Sequence, residues 1–329
     1  MNDGASLPQH VPLLAVSRGG QVENVHWGSI AVVDRLGKVQ FARGEMAAPL
    51  FSRSCLKPLQ AVPLVETGGL DALGLSEAQA ALTCASHSGE EAQVAGVAEI
   101  LRRAGTRVEQ LQCGCHVPLR YLDGAAPSGT PFTALHHNCS GKHAGFLAAC
   151  RHNGWPVESY LERGHPLQQR IAAAVAALAE IDAERLPVGT DGCSAPNWAM
   201  PAPALALAYA RLATAEPGTA PGRLFGAMTR HPEMVSGEGR FDLALSRLRP
   251  PGDFVSKGGA DGLQAFASRA AGLGVLVKIA DGNARALHAV VLALLTRLGL
   301  LREDELPRWR SAVVTNVRGL AVGERRVLF

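Results

Sequence analysis

Ser54-Cys55-Leu56-Lys57 sets a serine and a lysine three residues apart, and on a helical turn residues i and i+3 share a face. A serine hydroxyl is nearly inert until a base takes its proton. A lysine can be that base only where burial or neighbouring cations lower its pKa enough to leave it neutral. The same four residues also read as an ordinary helix start with a surface lysine, so their meaning depends on what stands around them. Pro58 comes next and cannot donate to the carbonyl four residues back, which leaves the Ser54 carbonyl free beside the candidate nucleophile.

Upstream, Leu13 to Val16, Ser29 to Val33 and Val39 to Ala42 alternate apolar and polar residues, the last two runs joined across the turn signal Asp34-Arg35-Leu36-Gly37. This predicts a strand meander. From Ser54 to Ala104 the spacing becomes helical, with Val94, Val97, Ile100 and Leu101 three and four apart. Residues 140 to 250 have almost no alternating runs; Gly141 to Cys150, His165 to Ala179 and Ala202 to Thr214 read as helices of a lobe that Pro250-Pro251-Gly252 ends. Strands then resume at Phe254 to Lys257, Gly262 to Arg269 and Gly274 to Ile279, followed by a long apolar helix. The expected fold is α/β (α+β): one antiparallel sheet from both chain ends (about residues 10–50 and 252–329), flanked by helices, with a helical lobe at about 140–250. Residues 1–329 form one catalytic domain in this reading.

The composition, 329 residues with 47% hydrophobic and 19% charged, suits a large buried core. A net charge of +3 on scattered basic residues gives no nucleic-acid footprint. Ala286 to Leu300 is too short and too interrupted to span a bilayer. Met1-Asn2-Asp3-Gly4 opens no secretory signal, so the expected location is the cytoplasm. Seven cysteines, an odd number, argue for thiols or metal ligands over a disulfide framework.

Four further clusters bear chemistry. Cys84-Ala85-Ser86-His87-Ser88-Gly89-Glu90 precedes a helix. There Ser88 reads as the N-cap, with Glu91 completing a capping box, but Ser86 and His87 stay unexplained. Asn138-Cys139-Ser140-Gly141-Lys142-His143-Ala144-Gly145 and Asp191-Gly192-Cys193-Ser194-Ala195-Pro196 each set a cysteine beside small residues. Cys139 and Cys193 are either small buried hydrophobes or two ligands of one metal. Ser256-Lys257-Gly258-Gly259-Ala260-Asp261-Gly262 is either a hairpin turn or a strand edge left open to a substrate backbone.

The order S-x-x-K, serine loop, helical lobe and K-G-G strand resembles the serine beta-lactamases and penicillin-binding proteins. Gly258 replaces the hydroxyl residue of their third box, which argues against a beta-lactam substrate. The clusters above, together with Val22-Glu23-Asn24-Val25-His26 and the continuation Pro58-Leu59-Gln60, are similar to the bacterial asparaginases of the Rhizobium etli type, the asparaginase II family. That resemblance implies a homodimeric hydrolase of L-asparagine. In it Ser54 is the nucleophile, Lys57 its immediate base, Ser86 and Lys257 a second serine–lysine pair, and Cys139, Lys142 and Cys193 the ligands of a zinc ion that orients loops or substrate. Arg53, His87, Glu90, His143 and Asp191 are the candidate substrate-binding side chains. The rivals are another serine–lysine amidohydrolase or peptidase, and a non-catalytic amino-acid or zinc-binding protein. A zinc deaminase needs a P-C-x-x-C motif beside its H-x-E, and the chain has no P-C-x-x-C.

Overall fold

The alternating runs become β1 (Val11–Arg18), β2 (Gln21–Asp34) and β3 (Val39–Arg43) of a computed structural model that describes residues 7–329 except 122, 123, 125, 130 and 311. Met1 to Gly4 lie outside the described residues. The β2–β3 turn forms because Asp34 Oδ1 accepts the N–H groups of Leu36 and Lys38, while Gly37 adopts φ +83°, a conformation open to glycine without steric cost. After β4 (Leu50–Phe51) a 3₁₀ turn, Arg53–Leu56, runs into α1 (Lys57–Gln60), α2 (Val62–Glu66), α3 (Gly69–Ala72), α4 (Glu77–Thr83) and α5 (Glu91–Arg103). Then come α6 (Ser140–Asn153), α7 (Pro166–Ala179), β5 (Val188–Thr190), β6 (Pro196–Met200), α8 (Ala202–Thr214), α9 (Ala220–Arg230), α10 (Pro232–Val235) and α11 (Phe241–Ser246). The chain finishes with β7 (Phe254–Gly259), β8 (Leu263–Ser268), β9 (Leu273–Ile279), α12 (Ala284–Arg297), α13 (Pro307–Arg310), β10 (Val313–Thr315) and β11 (Ala321–Val327).

The main sheet is antiparallel in the order β10-β11-β1-β2-β9-β8-β7, with β3 also on β2. β1 pairs with β11, so both chain ends meet in one sheet. Its two faces follow the two-residue period of a strand. Ala31 and Val33 of β2 and Leu276 of β9 face the helical lobe, while Ile30 and Val32 of β2 and Val275 and Val277 of β9 face α12. Burying each Val, Ile or Leu contributes about 1.5–3 kcal/mol, and a one-residue slip would exchange the faces; register is thereby fixed. The lobe helix α8 lies directly on β9. A Cβ at Gly274 would sit 2.0 Å from the Ala206 carbonyl oxygen, so only glycine permits this approach.

Two expectations change. The lobe contains strands: its β5 and β6, joined by β4 from before the lobe, form a second, three-stranded sheet, unseen in sequence because β6 is buried at every position and so does not alternate. The helix after Ser88 begins at Glu91 with Glu90 as N-cap, and Gln93 Oε1 accepts the N–H groups of Ser88 and Glu90. Gly89 at φ +74° redirects the chain between them. Among the described residues no helix is long and apolar enough to cross a membrane.

Candidate active site

Arg53 starts the site in a left-handed conformation, φ +45°, which costs a residue with a Cβ about 1–2 kcal/mol. A neighbouring strand holds it there. Asn197 of β6 accepts from Arg53 N–H at 3.0 Å and donates to the Arg53 carbonyl at 3.2 Å, while Ser52 Oγ donates to the Trp198 carbonyl at 2.7 Å. The chain then enters the 3₁₀ turn, in which residues i and i+3 are eclipsed, so Ser54 and Lys57 stand on one side. Lys57 N–H donates to the Ser54 carbonyl. The expected free carbonyl is therefore occupied, and Pro58, in the first turn of α1 where its missing N–H would have no partner, interrupts nothing.

Lys57 and Lys257 are fully buried and converge on one hydroxyl. Lys57 Nζ lies 2.9 Å from Ser86 Oγ and 2.6 Å from the Ala85 carbonyl; Lys257 Nζ lies 2.8 Å from the same Ser86 Oγ and 2.8 Å from the Gly258 carbonyl. Burial first, then the cation on Lys57, lowers the pKa of Lys257 to about 8, against an opposing pull from Asp242. Near neutral pH an appreciable fraction of Lys257 is thus free base. Ser54 and Ser86 both line a cleft of about 610 Å³. Among the described residues Ser54 Oγ has no hydrogen-bond partner, and neither does the N–H of Ser54 or of Ala260, which also lines the cleft. A larger surface hollow of about 800 Å³, beside Gln168 and Trp198, contains none of these groups.

The third box is not an open strand edge. β7 is the last strand of the sheet, but Gly258 N–H donates to Asp242 Oδ2 at 2.8 Å, and Cys55 Sγ donates to the Lys257 carbonyl at 3.1 Å. The edge is closed at Gly258 because a buried carboxylate takes its donor.

The five substrate-binding candidates separate. Arg53 is engaged by two carboxylates, Asp191 Oδ1 at 2.9 Å and Asp261. Glu90 accepts from Glu238 N–H at 2.8 Å. His87 is fully buried, 2.8 Å from Ser140 Oγ, and burial first, then Lys57, lowers its pKa to about 3. His143 is likewise fully buried, its Nδ1 2.8 Å from Tyr160 Oη. Of the five, none lines the Ser54 cleft. Arg240, which sequence reading passed over, does line it; its guanidinium donates to the Ser86 carbonyl.

Behind the lysine–serine cluster lies a second buried group. Lys142 Nζ is 2.9 Å from Cys193 Sγ. A hydrogen bond with Cys193, then the cations on Lys57 and Lys142, hold the Cys139 thiol well below its ordinary pKa against the effect of burial. Burial opposes charge on Lys142, yet the two thiols keep its pKa above the usual lysine value. Two thiolates and an amine are a donor set suited to zinc once the lysine gives up its proton, so the residues fit the ion. Among the described residues no three His, Cys, Asp or Glu side chains are grouped to hold a metal; any ion here depends on Lys142.

A family profile described as L-asparaginase II matches residues 14–327. The chain belongs to the L-asparaginase II family. Membership makes it an amidohydrolase acting on a small molecule. No curated protein matches it significantly. Among solved structures it is similar to a beta-lactamase from Mycobacterium bovis (15% identity, 82% of this chain and 94% of that one, TM-score 0.44). It is also similar to a penicillin-binding protein homolog from Caulobacter crescentus (15% identity, 82% and 92%, TM-score 0.40).

Proposed function

We propose that this L-asparaginase II family member hydrolyses L-asparagine to L-aspartate and ammonia through an acyl-enzyme on Ser54. The observation carrying this is the meeting of two buried lysines on Ser86 Oγ beside Ser54 in one cleft. Ser54 Oγ attacks the side-chain amide carbon, passing its proton to Ser86, whose own proton moves to neutral Lys257. Two ammonium groups cannot share Ser86 cheaply, so Lys57 as the charged partner keeps Lys257 a base. The N–H groups of Ser54 and Ala260 receive the developing oxyanion. The relay returns its proton to the leaving nitrogen, ammonia departs, and water cleaves the ester to free aspartate and Ser54.

Arg240, on the cleft wall, has donors to spare for the α-carboxylate, whereas Arg53 already spans Asp191 and Asp261. The mostly exposed carboxylate of Asp261, on the cleft wall, is the partner for the α-ammonium. Cys139 and Lys142 at the start of α6 and Cys193 in the loop before β6 are the residues that would hold zinc, which would then tie that loop to the helix. No metal-activated water is needed where a serine–lysine relay is available.

The test is ammonia release from L-asparagine and L-glutamine, run beside hydrolysis of a chromogenic cephalosporin. The proposal expects release from asparagine and an intact cephalosporin. Cephalosporin hydrolysis without ammonia release would assign a lactam hydrolase instead.

A further inference from the structure

Gly258 stands where the resembling folds carry a hydroxyl, and Asp242 supplies a physical reason. A Cβ at Gly258 would meet Asp242 Oδ2 at 3.1 Å and Gln264 Oε1 at 3.4 Å, so carboxylate and glycine are matched. Asp242, from α11, is fully buried yet has three donors from the sheet: Ser256 Oγ at 2.9 Å and Gln264 Nε2 at 2.6 Å on Oδ1, and Gly258 N–H at 2.8 Å on Oδ2. Ser256 and Gly258 flank Lys257 on β7, so the carboxylate fixes the backbone on both sides of that lysine. Burial alone would keep Asp242 neutral, but Lys257, Arg240 and these hydrogen bonds hold it ionised.

We propose that Asp242 is a positioning residue for the reaction, fixing Lys257 on β7 and supplying the negative charge that sets the pH range in which Lys257 is a base. Every other charged or titratable group facing Lys257 differs in sign or lacks charge. Lys57 of α1 and Arg240 at the start of α11 are cations. Burial pushes the thiols of Cys55 and Cys84 up to about 12, so they stay protonated. His288 of α12, which faces Asp242, is lowered by burial to about 4 and is neutral. Among the described residues Asp242 is thus the one anion in the group.

The inference rests on Ser54 as nucleophile, so its test uses a reaction at Ser54 that needs no amide. Phenylmethanesulfonyl fluoride transfers its sulfonyl group to the serine oxygen, releasing fluoride and the serine proton. The pH profile of that rate, with the labelled residue located by mass spectrometry, reads the base directly. Removing the negative charge favours neutral Lys257, so Asp242→Asn moves the acid limb to lower pH by about one unit. Ser256→Ala, which keeps the charge, leaves the limb within about 0.2 unit. Gly258→Ala pushes the carboxylate back and moves the limb in the same direction by less, keeping the inference testable if Asp242→Asn does not fold. An unmoved limb in Asp242→Asn and Gly258→Ala, or a rate lowered equally at every pH, overturns the role of Asp242 alone. Failure of wild-type Ser54 to be labelled overturns the nucleophile reading and this inference with it.

Discussion

Lys257 and Lys142 are both buried lysines within hydrogen-bond reach of one small polar atom, yet their acidities move in opposite directions. Lys257 meets a hydroxyl shared with a second lysine, and its pKa falls to about 8. Lys142 meets a thiol, and its pKa rises. Burial is common to the two, so the neighbour decides the outcome. The first region thereby holds a lysine that gives up its proton more easily than usual, and the second holds a lysine that keeps it.

The sharpest way to break this comparison is to remove each lysine's function in turn. Lys257→Met should lower kcat for asparagine by about 10²–10⁴-fold while melting at or above the wild-type temperature. Wild-type stability with full activity would mean that Lys257 is no base. The accompanying pH dependence has a definite sign. The folded pKa lies below the unfolded value of about 10.5, so the cost of burying the charge is fully present below pH 8 and fades as pH rises toward 10.5. Denaturant titrations should therefore show Lys257→Met more stable than wild type at pH 6, by on the order of 3 kcal/mol, with the advantage shrinking toward pH 10. Activity should rise with pH through about 8 in wild type, as the neutral base forms.

In the second region, Cys193→Ser should act on the fold more than on the chemistry. It alters the contact that buried Lys142 Nζ makes with Cys193 Sγ at 2.9 Å, a change that costs about 1–3 kcal/mol in chelated protein, read by urea unfolding, with kcat reduced less than in Lys257→Met. An equal fall in kcat would show that the thiol group takes part in catalysis. Of similar size is Asn197→Ala. Without that amide the left-handed Arg53 loses both backbone restraints, and a stability loss of about 1–3 kcal/mol is expected, with kcat falling and KM little changed. A change in KM alone would place Asn197 in binding.

How much of this was legible in sequence depends on how local each signal is. Ser54 and Lys57 stood out by their spacing, while the pairing of Ser86 with Lys257 and the set Cys139, Lys142 and Cys193 came only with the family resemblance. The strands of the meander and the helix Ala202–Thr214 were readable from period alone. Asp242 and Asn197 were not: one is a polar residue between Phe241 and Leu243 on a short helix, the other lies in a run buried on every side. Their roles arise only when β7 and the Arg53 turn are brought against them. β10 and β11 escaped because most of their residues are partly or fully exposed and β11 carries Glu324, Arg325 and Arg326, leaving little apolar alternation to see. Arg53 misled for a related reason: its charge fits a substrate carboxylate, but the fold gives it two aspartates first.

The central claim, that Ser54 is the nucleophile served by the lysine-held Ser86, is tested most directly by ammonia release from L-asparagine by wild type and Ser54→Ala side by side, with circular dichroism confirming that both are folded. The account predicts release by wild type and none above background by Ser54→Ala. Release by folded Ser54→Ala at a rate near wild type would contradict it and transfer the nucleophile to Ser86, the other serine of the cleft.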